Sequence, residues 1–194
     1  MKGIFWKVYE YLIDKSATPA GGELSVGTHL WIGETGYTVP TAPIGLYESR
    51  ELEHADPELV KRYLDLESDV RAYHRRQLIP THTYRGPEKQ FELFQIGREL
   101  QNGIWVVVNP KIKVTNCDGV KIRSRHNLYK SKAIDVAIDL DPGFGSKVTW
   151  ANEAYDILGP LALKHGLKWG GDWNMNGTSA DDKWLDRCHL ELIG

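Results

Sequence analysis

The chain has 194 residues, 41% hydrophobic and 26% charged, the composition of a globular protein with room for one well-packed domain plus an extension. A formal net charge of −2 gives no electrostatic case for nucleic acid or for an anionic membrane surface. No stretch approaches the roughly 18 apolar residues of a membrane span, so insertion into a membrane is not expected.

Met1 to Leu12 reads MKGIFWKVYEYL. Lys7 and Glu10 interrupt its apolar run and no small-residue cleavage site follows, so it is not read as a secretory signal. Synthesis in the cytoplasm as a soluble protein is expected. Residues 1–50 are rich in Gly, Thr and Pro and are expected as an extension of unassigned role packed on residues 51–194. Within it, Thr28 to Val39 has the pattern of a hairpin, with Glu34-Thr35-Gly36 as the turn.

Asp56-Pro57-Glu58 is a helix start: an N-cap, a proline at the first helical position and an acid in the first turn. Leu59, Val60, Tyr63, Leu64, Val70 and Tyr73 continue with helical spacing to about Arg76. Leu78 to Tyr84 reads as extended. Pro87 opens a second helix through Phe91 and Phe94, with Gly97 as its stop. Ile104 to Val108 is strand-like. In Ala133 to Leu140, Ile134, Val136 and Ile138 alternate with Asp135, Ala137 and Asp139, the period of a half-buried strand. Trp150 to Lys164 predicts a third helix, kinked or split by Pro160. Arg187 to Ile193 predicts a last short strand. Helices and strands mix without βαβ repetition, which argues an α+β fold with a mainly antiparallel central sheet flanked by helices.

The chemistry concentrates in the last seventy residues or so. His126, Asp135 and His189 form a set of two imidazoles and a carboxylate that suits a divalent metal, zinc above all, with a fourth position left for water. Asp186 lies three residues before His189, where it can take a proton from that water. On the last strand His189 and Glu191 share one face, so Glu191 can orient a ligating imidazole or hold substrate. Asp139, on the Asp135 face, is the alternative carboxylate ligand. Singly, each of these residues is ordinary; the ordered spacing H-x8-D followed by D-x-x-H-x-E carries the argument. Cys117 and Cys188 are too few for a disulfide framework and are expected as reduced, partly buried thiols. Seven tryptophans and nine tyrosines suit a core, or the lining of a cleft for peptide or sugar.

Ser124, His126, Ala133 and Asp135, then Asp186 and His189, match the S-x-H-x-x-G-x-A-x-D and [D/E]-x-x-H patterns of a known family. Trp169-Gly170-Gly171-Asp172-Trp173, Thr83-Tyr84-Arg85-Gly86, Gln95-Ile96-Gly97-Arg98 and Val114-Thr115-Asn116 match further segments in order. Over residues 55–194 the chain resembles the zinc D-alanyl-D-alanine carboxypeptidases and L-alanyl-D-glutamate endopeptidases, which include vancomycin-resistance D,D-peptidases and bacteriophage endolysins. Two departures stand out: Ser131 replaces the motif's glycine, and two extra residues separate it from His126.

The resemblance implies a D,D-peptidase/hedgehog-like zinc peptidase fold, with Zn2+ held by His126, Asp135 and His189. It implies Asp186 as general base and then acid, and Arg85 as the group that hydrogen-bonds the substrate carbonyl or carboxylate. Ser124, Arg98 and Trp173 are weaker candidates for substrate contact or ligand support. The expected substrate is the peptidoglycan stem peptide, cut at the L-alanyl-D-glutamate bond because the base is Asp. An endolysin-like protein, acting as a monomer on the cell wall after release, fits. The alternatives are a D-alanyl-D-alanine carboxypeptidase, or a non-catalytic wall-binding or virion module.

Overall fold

A computed structural model describes the backbone of residues 29–32 and 37–40 and the whole of residues 42–194. The expected hairpin is present as β1 (His29–Ile32) and β2 (Tyr37–Pro40), paired antiparallel from His29 opposite Pro40 to Ile32 opposite Tyr37. Its expected turn and the Met1–Leu12 segment lie outside the described residues.

The chain is α+β. Helix α1 (Pro57–His74) starts where the sequence places it: the Asp56 carboxylate accepts from the Glu58 amide at 2.9 Å, and Arg75 ends the helix in the left-handed conformation at φ +55°. Its buried face is Leu59, Tyr63, Leu66 and Val70. Leu64 and Tyr73, expected on that face, are 50% and 67% exposed, because Leu66 continues the stripe from Leu59 and Tyr63 and turns them outward. Strand β3 (Gln77–His82) follows, then α2 (Pro87–Gln95) and the hairpin β4 (Arg98–Gln101) and β5 (Ile104–Val107). Phe91 of α2 stacks on Phe94 and meets Trp105 edge-on, which ties the hairpin to the helix.

Strand β6 (Ala133–Asp139) is the centre of an antiparallel sheet ordered β3-β6-β9-β8, with β7 (Val148–Thr149) also paired to β6. Strands β8 (Leu167–Trp169) and β9 (His189–Leu192) complete it. All seven residues of β6 are buried, not half of them as its alternation suggests. Ile134, Val136 and Ile138 enter the core with Leu78 and Leu190, while on the opposite face Asp135 meets Arg85, His126 and His189, and Asp139 meets Ser146 and the Lys147 amide.

The expected 150–164 helix is split into a 3-10 turn at Asn152–Tyr155 and helix α3 (Leu158–Lys164). Pro160 falls in the first turn of α3, where a missing amide costs nothing, and its ring forbids continuation from upstream. Helices α1 and α3 cover the apolar face of the sheet, with Leu59, Leu66, Tyr155, Leu158 and Leu167 among the buried residues between them. Two buried hydroxyls are satisfied by main chain: Tyr63 donates to the Leu78 carbonyl at 2.9 Å and Tyr155 to that of Val136 at 3.0 Å.

Residues 47–51 join this unit through backbone hydrogen bonds, the Ser49 amide donating to the Tyr84 carbonyl at 2.8 Å and the Gly86 amide to that of Tyr47 at 2.7 Å. Among the described residues no helix is long and apolar enough to cross a membrane.

Candidate metal centre

Three segments converge on the face of β6 away from the core. Asp135 is in mid-strand. His189 lies directly opposite it on β9. His126 comes from a 3-10 turn, Arg125–Asn127, that opens at Ser124, whose amide donates to Asn127 Oδ1 at 2.9 Å. The Arg85 amide donates to the His126 carbonyl at 3.0 Å, and Asn127 Nδ2 to the Arg85 carbonyl at 2.8 Å, so the turn is fixed to the chain leaving β3.

All three side chains are buried, and their donor atoms lie close together. His126 Nε2 is 3.1 Å from Asp135 Oδ1 and 3.3 Å from His189 Nδ1; His189 Nδ1 is 3.0 Å from Asp135 Oδ1. The outer ring nitrogens are engaged elsewhere. His126 Nδ1 donates to the Thr83 carbonyl at 2.6 Å, and His189 Nε2 faces Glu191 Oε2 at 3.3 Å. With the outer nitrogens carrying the protons, both inner nitrogens present lone pairs toward one carboxylate oxygen. The cluster therefore calls for positive charge at its middle, and the group can hold a metal ion.

The titration tendencies agree. Burial would raise the Asp135 carboxyl, but His126, His189 and Arg85 outweigh it and hold it well below the usual range. Burial pushes His126 down. Burial also opposes charge on His189, yet Asp135 and Glu191 prevail and lift it to about 9.

The structure places the other expected residues as follows. Arg85 pairs through Nη2 with the second oxygen of Asp135, which turns Oδ1 toward the imidazoles. Asp186 lines the same cleft and accepts from the Cys188 thiol at 3.2 Å. Glu191 holds His189, as its strand face implies. Ser124 donates to Gln90 Oε1 at 3.3 Å and lines the cleft. Trp173 lies 5.5 Å from His189 and stacks on Trp184 at 5.3 Å, with its buried Nε1 lacking a partner among the described residues.

Two expectations are corrected. Arg98 does not reach the cleft: it is spent on the carbonyls of Phe94 and Thr115, the latter at 2.8 Å, and its guanidinium sits 4.0 Å over the Phe94 ring. Asp139, the alternative ligand, points into the 139–147 loop, accepting from Ser146 Oγ and the Lys147 amide, each at 2.7 Å. The two residues added before Ser131 are absorbed in a loop. Ser131 is buried, its amide donates a hydrogen bond to the His54 carbonyl at 2.9 Å, and Asp135 keeps its place.

The Trp169–Trp173 segment has a packing explanation. A methyl group at Gly170 would meet the Asp186 carbonyl oxygen at 2.2 Å, and one at Gly171 the Trp169 ring at 2.2 Å. Asp172 caps the loop beyond, accepting from the amides of Asn176 at 3.1 Å and Gly177 at 2.8 Å. These glycines let the turn carrying Asp186 press against β8.

The centre sits in a cleft of about 820 Å3. Its walls hold residues not singled out by sequence, notably His82, Lys89, Gln90, Arg123, Trp150 and Trp184. His82 escapes pattern reading because β3 bulges between Pro80 and His82. Straight alternation from the buried Leu78 would turn His82 to the core; the bulge sets Thr81 and His82 both into the cleft. Comparison with protein-family models and with curated proteins finds no match.

Proposed function

We propose that the chain is a zinc-dependent peptidase of the D,D-peptidase/hedgehog-like kind that hydrolyses the stem peptide of bacterial peptidoglycan. The observation that carries this is the trio of donor atoms 3.0–3.3 Å apart at the floor of a cleft that Asp186 also lines. A tetrahedral ion with bonds of about 2.0–2.1 Å needs its ligand atoms about 3.3 Å apart, and two imidazoles with one carboxylate are a catalytic zinc set. When bound, zinc supplies Lewis acidity to a carbonyl and makes water a stronger acid at neutral pH.

The chain's own groups supply the rest. Asp186 takes a proton from water and returns it to the leaving amine. Arg85, held on Asp135 through one nitrogen, has further N–H donors for a substrate carbonyl as negative charge develops on it. Glu191 keeps the His189 ring in its ligating tautomer. Trp173 and Trp184 wall off water beside the reacting bond.

Among stem-peptide bonds, L-alanyl-D-glutamate is favoured by aspartate at the base position, as in the endopeptidase branch that the sequence resembles. A wall-lytic, endolysin-like role follows from that branch. The test is digestion of purified peptidoglycan, with products identified by mass spectrometry. A new N-terminal D-glutamate, lost with chelator and restored by zinc, is expected. Release of free D-alanine would move the protein to the carboxypeptidase branch. No product from any wall type would make it a binding module.

A further inference from the structure

The cleft is electrically polarised. One wall is built by α2 and the 114–125 segment, the other by β9, the turn before it and the tryptophans. Every charged residue that lines the first wall is a cation: Lys89, Arg123 and Arg125. Those lining the second are Asp186 and Glu191, besides the metal-ligating His189. The neutral polar groups of the first wall are used by one another. Gln90 donates to Thr115 and Cys117 and accepts from Ser124.

The cations differ in what they have left to give. Arg85 gives one nitrogen to Asp135 and keeps its other donors for the substrate carbonyl, and Lys89 is paired with Glu48 at 3.4 Å and with the face of Tyr47. Arg125 donates to the Gly194 carbonyl at 2.9 Å. Arg123 has neither an ion pair nor a hydrogen bond among the described residues, although it lines the cleft one residue before the turn that carries His126. A guanidinium presents a rigid fork of donors matched to a carboxylate.

We propose that Arg123 anchors a free carboxylate of the substrate close to the scissile bond, so that the cleft selects acidic peptides and orients them with their negative end on the α2 wall. This rests on the peptidase function proposed above and names the substrate feature that function requires.

The probes are two synthetic tripeptides, L-alanyl-γ-D-glutamyl-L-lysine and its counterpart with the glutamate α-carboxylate amidated. They differ by one charge, next to the bond cleaved. The zinc-loaded protein is expected to prefer the acid by about ten- to a hundredfold in kcat/KM, mostly through KM. In Arg123→Gln that ratio collapses toward unity, while the melting temperature and zinc uptake match the parent protein. Arg123→Lys restores part of the preference. Equal cleavage of both peptides by the parent protein, or an undiminished preference in Arg123→Gln, would overturn the anchor and leave the peptidase function standing. Cleavage of neither peptide, nor of peptidoglycan, would remove both.

Discussion

Gly170→Ala is a one-carbon change that should damage the site without touching a ligand. The added methyl would lie 2.2 Å from the Asp186 carbonyl oxygen, 3.0 Å from its carbon and 3.1 Å from His189 Cβ. Ordinary contact begins near 3.4 Å, so the turn must move by 3.4 − 2.2 = 1.2 Å. No flexible side chain can absorb this, because the obstacle is backbone. The turn is also pinned: the Gly170 amide donates to the His189 carbonyl at 2.8 Å, and the Asp186 amide to that of Gly170 at 2.7 Å. Overpacking of this kind costs about 1–3 kcal/mol, and at about 2–4 °C per kcal/mol the melting temperature should fall by roughly 2–12 °C. Displacing Asp186 by about 1 Å should lower kcat by about a hundredfold. Calorimetry and stem-peptide turnover on the same preparation measure both. Gly143→Ala, at φ +90° with open space around it, is the control: it should cost stability alone. A Gly170→Ala protein with parental melting temperature and rate would refute the claim that this glycine sets the Asp186 turn.

Asp135→Asn should abolish stoichiometric zinc uptake. Asp139→Asn should keep it and lower the melting temperature, because it weakens the cap on the 139–147 loop; mass spectrometry under native conditions distinguishes the two. Asp186→Asn should retain one zinc per chain and lose at least about a hundredfold in turnover, read by peptide cleavage. In the zinc-free protein His189 titrates near 9, above its unfolded value of about 6.5. Its stabilisation is therefore complete below about pH 6.5 and lost as pH rises through 9. The melting temperature with chelator should fall over that window. With zinc the slope should reverse, because protons compete with the metal. A flat profile with chelator would contradict the charge assigned to His189.

Much of the site was legible because its chemistry depends on residue order. Asp135, His189 and Glu191 could be placed on strand faces from period two, His126 and Asp186 from their spacing along the chain, and the structure brings all five to one cleft. What the sequence hid was set by tertiary contacts. Full burial of β6 depends on what covers its polar face, which no alternation reports. The bulge that swings His82 into the cleft breaks the very period used to read β3. Arg98 stood in a motif, yet its guanidinium caps the end of α2, because the hairpin returns beside that helix. Lys89 and Arg123 had no signature: their meaning is their shared wall, and that wall exists only once α2 packs on the 114–125 segment.

X-ray absorption at the zinc edge, on protein loaded with one equivalent of zinc, tests the metal centre most directly. The predicted spectrum has nitrogen and oxygen neighbours at about 2.0–2.1 Å, with the multiple scattering of two imidazoles. Sulfur at about 2.3 Å would instead put Cys188 or Cys117 on the metal and contradict the His126–Asp135–His189 centre, as would the same spectrum from Asp135→Asn.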